Sequence, residues 1–227
     1  AYEAYKRSAL LLSKKTGNKD EKQERIFENS LVGMIEAGEK LNNNELKLNA
    51  YKMYLDLNPE GDKIHEVKYQ IAHYFYEKND FTKSQPIFYS LVKNEQGAYS
   101  LRDKAAELYI DTLVVLKDDA QLEIDSLLFS RLFKDKYAYY LSIWRKSILN
   151  QSAKVINSEN SSNEDFQKLW VKIDDQPLSL WPNESRKKLL TNKELLSYKL
   201  KDLDKLEKTI KEFETITGLD GERTEAC

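Results

Sequence analysis

Few side chains in this sequence are of the types that move protons, hold metals or attack carbonyls. The only histidines are His65 and His73. Separated by 8 residues on one helix, they would stand more than two turns apart and could not share a metal ion unaided. Surface or groove positions are expected for both. Asp118 with Asp119, and Asp174 with Asp175, are sequence neighbours whose side chains diverge on a helix, so they read as acids at helix ends or in loops. The single cysteine, Cys227, excludes an internal disulfide framework and a cysteine-rich zinc site; its terminal position suggests a flexible thiol, to which no role is assigned. No phosphate-binding glycine loop, nucleophile elbow or zinc signature is present. No catalytic, cofactor-binding or metal-ligating residue is therefore assigned, and a non-catalytic protein is expected.

The elements that would carry these residues follow from composition. A chain of 227 residues with 41% hydrophobic content can build a continuous core. Only 7 glycines and 4 prolines occur, too few for the closely spaced turns of sandwiches and barrels, so an all-α protein is expected. The 36 basic and 38 acidic residues nearly cancel, and the strongest basic run is Arg186, Lys187 and Lys188, which argues against a nucleic-acid partner. Apolar runs such as Ala9 to Leu12 and Leu113 to Leu116 fall far short of the ~20 residues of a membrane span. At the start, Tyr2, Glu3, Tyr5, Lys6 and Arg7 interrupt the place where the apolar core of a signal peptide would lie. Sequon-like triplets begin at Asn150, Asn160 and Asn183, a pattern too common to fix a compartment.

Hydrophobic positions recur along the first two thirds. Tyr54, Leu91 and Leu128 are spaced by 37, as are Leu55, Val92 and Phe129; Met34, Ile71 and Leu108; and Ile35, Ala72 and Tyr109. The stretch "YQIAHYFYEKNDFTKSQPIFYSLV" shows the unit: two apolar bursts at helical spacing, joined by Glu77, Lys78, Asn79 and Asp80. One pair of antiparallel helices is the expected repeat, and a single pair cannot bury both its faces alone. Pro86 is anomalous beyond a first helical turn, so the second helix is expected to start near Thr82 or Ser84 or to kink.

On Ile71, Ala72, Phe75, the Asn79 and Asp80 turn, Phe81, Ser84, Phe88 and Leu91, with Asn58 and Pro59 closing the preceding unit, the chain resembles the tetratricopeptide repeat family. The resemblance covers about three units, from Glu28 to Phe133, and departs from the family in its period, in Lys47 where a small residue is usual, and in Asp125 where an aromatic is usual. It implies an α-solenoid of antiparallel helix pairs whose first helices line a concave groove. The inward positions it implies are Tyr69, His73 and Tyr76, with Val32, Glu36 and Glu39 in the unit before and Ala106, Ile110 and Leu113 in the unit after. Tyrosines mixed with acids and aliphatics suit a protein or peptide partner with apolar and basic side chains. The lysine and asparagine clamp with which some members grip a chaperone's terminal carboxylate is missing at Tyr69, His73, Val32 and Glu36.

Flanking segments complete the expectation. Tyr2, Tyr5, Ala9 and Leu12 mark a helix ahead of the first unit, and "KKTGNKDEKQ" an exposed turn after it. Tyr137, Leu141, Trp144 and Ile148 mark a helix beyond the last unit, so the array is placed at 1–149. A polar loop or linker is expected at 150–163 and a helical extension at 164–227. Within the extension, Phe166, Leu169, Trp170 and Ile173 would form a helix capped by Asn163, and Pro177 and Pro182 would bracket an irregular turn. A capping pattern at Thr191 and Glu194, Leu196, Leu203 and Ile210 at seven-residue spacing, and Gly218 as terminator predict one long C-terminal helix. That helix would cap the array or pair as a coiled coil between copies. The functional expectation is an interaction module or scaffold within a larger assembly; a structural or oligomerising segment is the alternative, and an enzyme-associated regulatory subunit the weaker one. Similar divergent repeats often serve in transport or envelope assembly, an analogy of fold that leans toward a bacterial cell envelope or periplasm.

Overall fold

The structure is a computed structural model and describes residues 1–14 and 20–220, with side chains described through 216. Among these residues it is all helical, with eleven α-helices and no strand. Contacts divide the chain into two compact units, Ala1–Thr112 and Leu113–Cys227, a division inside a helix and well before the expected boundary near 149. Cys227 and most of the turn after the first helix lie outside the described residues.

Unit 1 holds α1 (Tyr2–Ser13), α2 (Glu21–Lys40), α3 (Asn44–Leu57), α4 (Ile64–Glu77), α5 (Phe81–Lys93) and most of α6 (Tyr99–Leu116). From α1 to α5, each helix packs on the next in the chain. Leu31, Met34, Ala50, Tyr54 and Ile71 are central to one apolar cluster. Close approach of α2 and α3 is made by Gly38, where an added Cβ would lie 3.3 Å from the Lys47 backbone nitrogen. The small residue that this crossing needs is thus on α2, which accounts for the lysine at position 47. On α5, the small residue is Ser84, fully buried.

Unit 2 holds α7 (Asp119–Leu132), α8 (Tyr137–Asn157), α9 (Asn163–Asp174), α10 (Asn183–Leu200) and α11 (Leu203–Asp220). α8 packs on α7, α9 and α10, while α10 also packs on α9 and α11. Its core joins Trp144, Ile148, Trp170, Ile173, Trp181, Leu189 and Leu196. The turn between Pro177 and Pro182 finds cover here, because Trp181 is 1% exposed and its ring centroid lies 5.6 Å from that of Trp144. Arg145 and Arg186 hold the turn by donating to the carbonyls of Leu180 and Leu178, each at 2.7 Å.

Four helix joints share one device. Asn42, Asn79, Lys117 and Lys201 take positive φ values of 48°, 57°, 57° and 53°. Each precedes an Asn or Asp at the entrance of the next helix: Asn43, Asp80, Asp118 and Asp202. At three of the joints the amide of that acid closes the outgoing helix, Asp80 to the Phe75 carbonyl at 2.9 Å, Asp118 to Leu113 at 3.0 Å and Asp202 to Ser197 at 3.1 Å. Asn43 and Asp118 then cap the incoming helix through their side-chain oxygens, the first accepting from Glu45 and Leu46 and the second from Gln121.

Several expectations are corrected. The segment 150–163 is not a free loop, because α8 runs on to Asn157 and buries Ser152 and Ile156. Ser162, not Asn163, caps α9, in a reciprocal capping box with Asp165. The long C-terminal helix is two helices, broken at left-handed Lys201. Thr191 lies inside α10, where its hydroxyl donates to the Lys187 carbonyl at 3.0 Å, and the heptad residues are divided, Leu196 on α10 and Leu203 and Ile210 on α11. Gly218 lies within α11, which continues to Asp220. α5 starts at Phe81, one residue ahead of the expected Thr82, and carries Pro86 in its interior.

Candidate functional site

The residues expected to line a groove have three different fates. Tyr69, His73 and Tyr76 come together on one face of α4, half-buried, with ring centroids 6.0 Å apart for Tyr69 and His73 and 6.4 Å for His73 and Tyr76. Phe88 of α5 supports the row from beneath the tyrosines, 5.9 Å from Tyr69 and 6.3 Å from Tyr76. Phe88 is itself fully buried, so the row is anchored rather than loose. His73 Nδ1 lies 3.5 Å from the Glu77 carboxylate one turn on.

The α2 residues are spread apart. Val32 is partly buried against the unit 1 core. Glu36 is exposed beside a recess shared with Tyr2 and Tyr5 of α1. Glu39 instead accepts a hydrogen bond from the Tyr51 hydroxyl of α3 at 3.0 Å. Burial, followed by that bond, pushes the Tyr51 phenol well above the ordinary tyrosine range.

Ala106, Ile110 and Leu113 do not line a surface: their exposures are 0%, 3% and 0%. A one-residue slip explains the error. The left-handed joints Asn42 and Asn79 are 37 apart, but Asn79 and Lys117 are 38 apart. Counting 38 from α4 moves Tyr69 to Glu107, His73 to Asp111 and Tyr76 to Val114, all exposed. The same count makes the core series consistent, because Tyr54, Leu91 and Phe129, and likewise Met34, Ile71 and Tyr109, are all buried. The additional residue therefore falls between Leu91 and Tyr109.

What the structure joins to the α4 row is a pair of α6 carboxylates one turn apart, Glu107 and Asp111. The Tyr76 hydroxyl donates to Asp111 Oδ2. This bond, with burial and the Asp111 charge behind it, pushes the Tyr76 phenol up to about 12. The Tyr69 phenol is also raised, by burial first and then by the Glu107 charge. The candidate site is thus an aromatic row with an acidic border formed by Glu77, Glu107 and Asp111. Aromatic faces and carboxylates both attract cations, and the rings offer apolar area at low entropic cost.

The other chemistry-bearing residues have structural settings. His65 and His73 share α4, but His65 contacts Asn94. Asp118 and Asp119 stand at the entrance of α7, as expected of helix-end acids; Asp118 caps the helix, and Asp119 is buried and paired with Lys154. Asp174 belongs to an ion cluster with Lys193 and Lys208. Among the described residues, no group of three or more His, Cys, Asp or Glu is placed to hold a metal, and no helix is long and apolar enough to cross a membrane. Compared with family models, curated proteins and solved structures, the chain finds no match in any of the three.

Proposed function

We propose that this chain is a non-catalytic interaction module, built as an α-solenoid of helix pairs, that holds a protein or peptide segment rich in basic and apolar side chains. The observation that carries this reading is the Tyr69, His73 and Tyr76 row, fixed on Phe88 and bordered by Glu107 and Asp111. A lysine or arginine laid across it would meet ring faces and carboxylates together, while neighbouring apolar side chains would cover the exposed ring area. The recurring joints at Asn42, Asn79 and Lys117 support the repeat, since each turns one helix back on the next with the same backbone solution. The role fits a scaffold within a larger assembly.

Fluorescence anisotropy with labelled peptides tests the specificity. A peptide alternating lysine or arginine with leucine is expected to bind the full chain more tightly than its acidic counterpart, and Glu107→Lys with Asp111→Lys is expected to remove the difference. Equal binding of both peptides to the native chain would contradict the reading.

A second reading has its own observation. Leu203 and Ile210, 79% and 48% exposed, stand seven residues apart on α11, and pairing between copies would cover them. Mass that rises with concentration and is lost in Leu203→Glu would favour that oligomerising role.

A further inference from the structure

Unit 2 contains a recess of about 290 Å³ that the proposed interaction face does not use. Val114, Leu122 and Ile143 give it apolar walls, and Lys117, Lys146 and Lys154 also line it. One acid is present, Asp119, only 9% exposed. Its charge is already answered: Lys154 Nζ lies 2.6 Å from Oδ2, and Asn150 Nδ2 donates to Oδ1 at 3.3 Å. Neither Lys117 nor Lys146 enters an ion pair among the described residues. The recess therefore carries two uncompensated positive charges next to apolar walls.

Lys117 is placed there by the backbone. It occupies the left-handed position that asparagine fills at the joints of residues 42 and 79, where asparagine meets the φ requirement more easily. Lys201 fills the same position at the α10 to α11 joint, so what distinguishes Lys117 is its place on the wall of the recess.

We propose that this recess binds a small organic anion with an apolar body, of the medium-chain carboxylate class. The lysines would take the carboxylate through charge-assisted hydrogen bonds, and the hydrocarbon would displace water from Val114, Leu122 and Ile143. Inorganic phosphate would satisfy the lysines and leave the walls wet. An uncharged alcohol would do the converse.

Calorimetric titration of the full chain with octanoate, octanol and inorganic phosphate tests this. Octanoate binds with one equivalent, and octanol and phosphate each bind about tenfold more weakly or worse. Lys117→Asn with Lys146→Gln weakens octanoate by about tenfold or more, because asparagine keeps the left-handed turn while both charges are removed. No octanoate binding, equal binding of phosphate or octanol, or an unchanged affinity in the folded double variant overturns the proposal. If the double variant loses its helical circular dichroism, Lys146→Gln alone, at an exposed position, carries the same test: a several-fold loss supports the site and no loss contradicts it.

Discussion

At the scale of single residues, the most informative bond is Tyr76 to Asp111. A phenol bonded to a carboxylate resists ionisation, because its phenolate would face a like charge and lose its acceptor. Tyrosine-ring NMR is expected to show the Tyr76 phenol protonated until about pH 12, with a lower midpoint in Asp111→Ala. The sign for stability follows: a folded-state value raised above the unfolded one, near ~10, stabilises the fold fully below pH ~10 and loses that contribution as pH rises through the folded value. An unchanged midpoint in Asp111→Ala would mean that the bond does not set the acidity. Nothing in the sequence marks Tyr76 and Asp111 as a pair. Tyr76 was legible from the spacing of α4, but Asp111 lies one position beyond the expected Ile110, and only the extra residue before Tyr109 makes that visible.

At the scale of elements, charge buried between helices staples α9, α10 and α11. Lys193 of α10 is 1% exposed, donates to Asp174 of α9 at 2.8 Å and pairs with Glu212 of α11. Its Nζ also lies 5.4 Å from the Trp170 ring centroid. Burial alone would raise the Asp174 carboxyl, but hydrogen bonds from Lys193 and Lys208 outweigh it and leave the group below the usual range. Its contribution to stability is therefore present above the unfolded value of ~3.9 and lost as pH falls through the folded value. Lys193→Met is expected to cost about 2 to 3 kcal/mol in denaturant unfolding at neutral pH, somewhat less than a fully buried pair because both carboxylates keep some solvent contact. The variant should also lose less stability than the native chain between pH 5 and the acid limit, roughly the range over which a depressed carboxylate titrates. A cost under about 0.5 kcal/mol would show that the staple is dispensable.

The same helices show where sequence patterns mislead. Leu196, Leu203 and Ile210 keep a seven-residue spacing across a break, and the break carries neither glycine nor proline. Lys201 takes the left-handed conformation without the residue type that announces it, and Asp202 then caps α11 by accepting from the Lys205 amide. The serine and asparagine content after Asn150 likewise reads as loop. In α8, however, Ser147 and Ser152 turn their hydroxyls back to the carbonyls of Trp144 and Ile148 at 2.8 Å each, which allows both to be buried in a helix.

At the scale of the whole molecule, helical class was legible because composition and the apolar period agree, with few glycines and prolines and no alternating strands. The Asn79 and Asp80 turn was legible too, since those residue types carry turn chemistry. The division at Thr112 was not, because α6 runs through it with no change in sequence character. Nor could spacing alone reveal the recess, whose lysines come from the α6 to α7 joint and from α8. The proposed function requires the α4 and α6 face to hold a basic, apolar segment. The most direct measurement compares partner capture from native extract by the intact chain and by a variant carrying Tyr69→Ser and Asp111→Lys, matched for helical content. The native protein is expected to retain a chain at low salt and to release it at high salt, and the variant to fail to retain it. An identical set of captured chains from both proteins, or none from either, would contradict it.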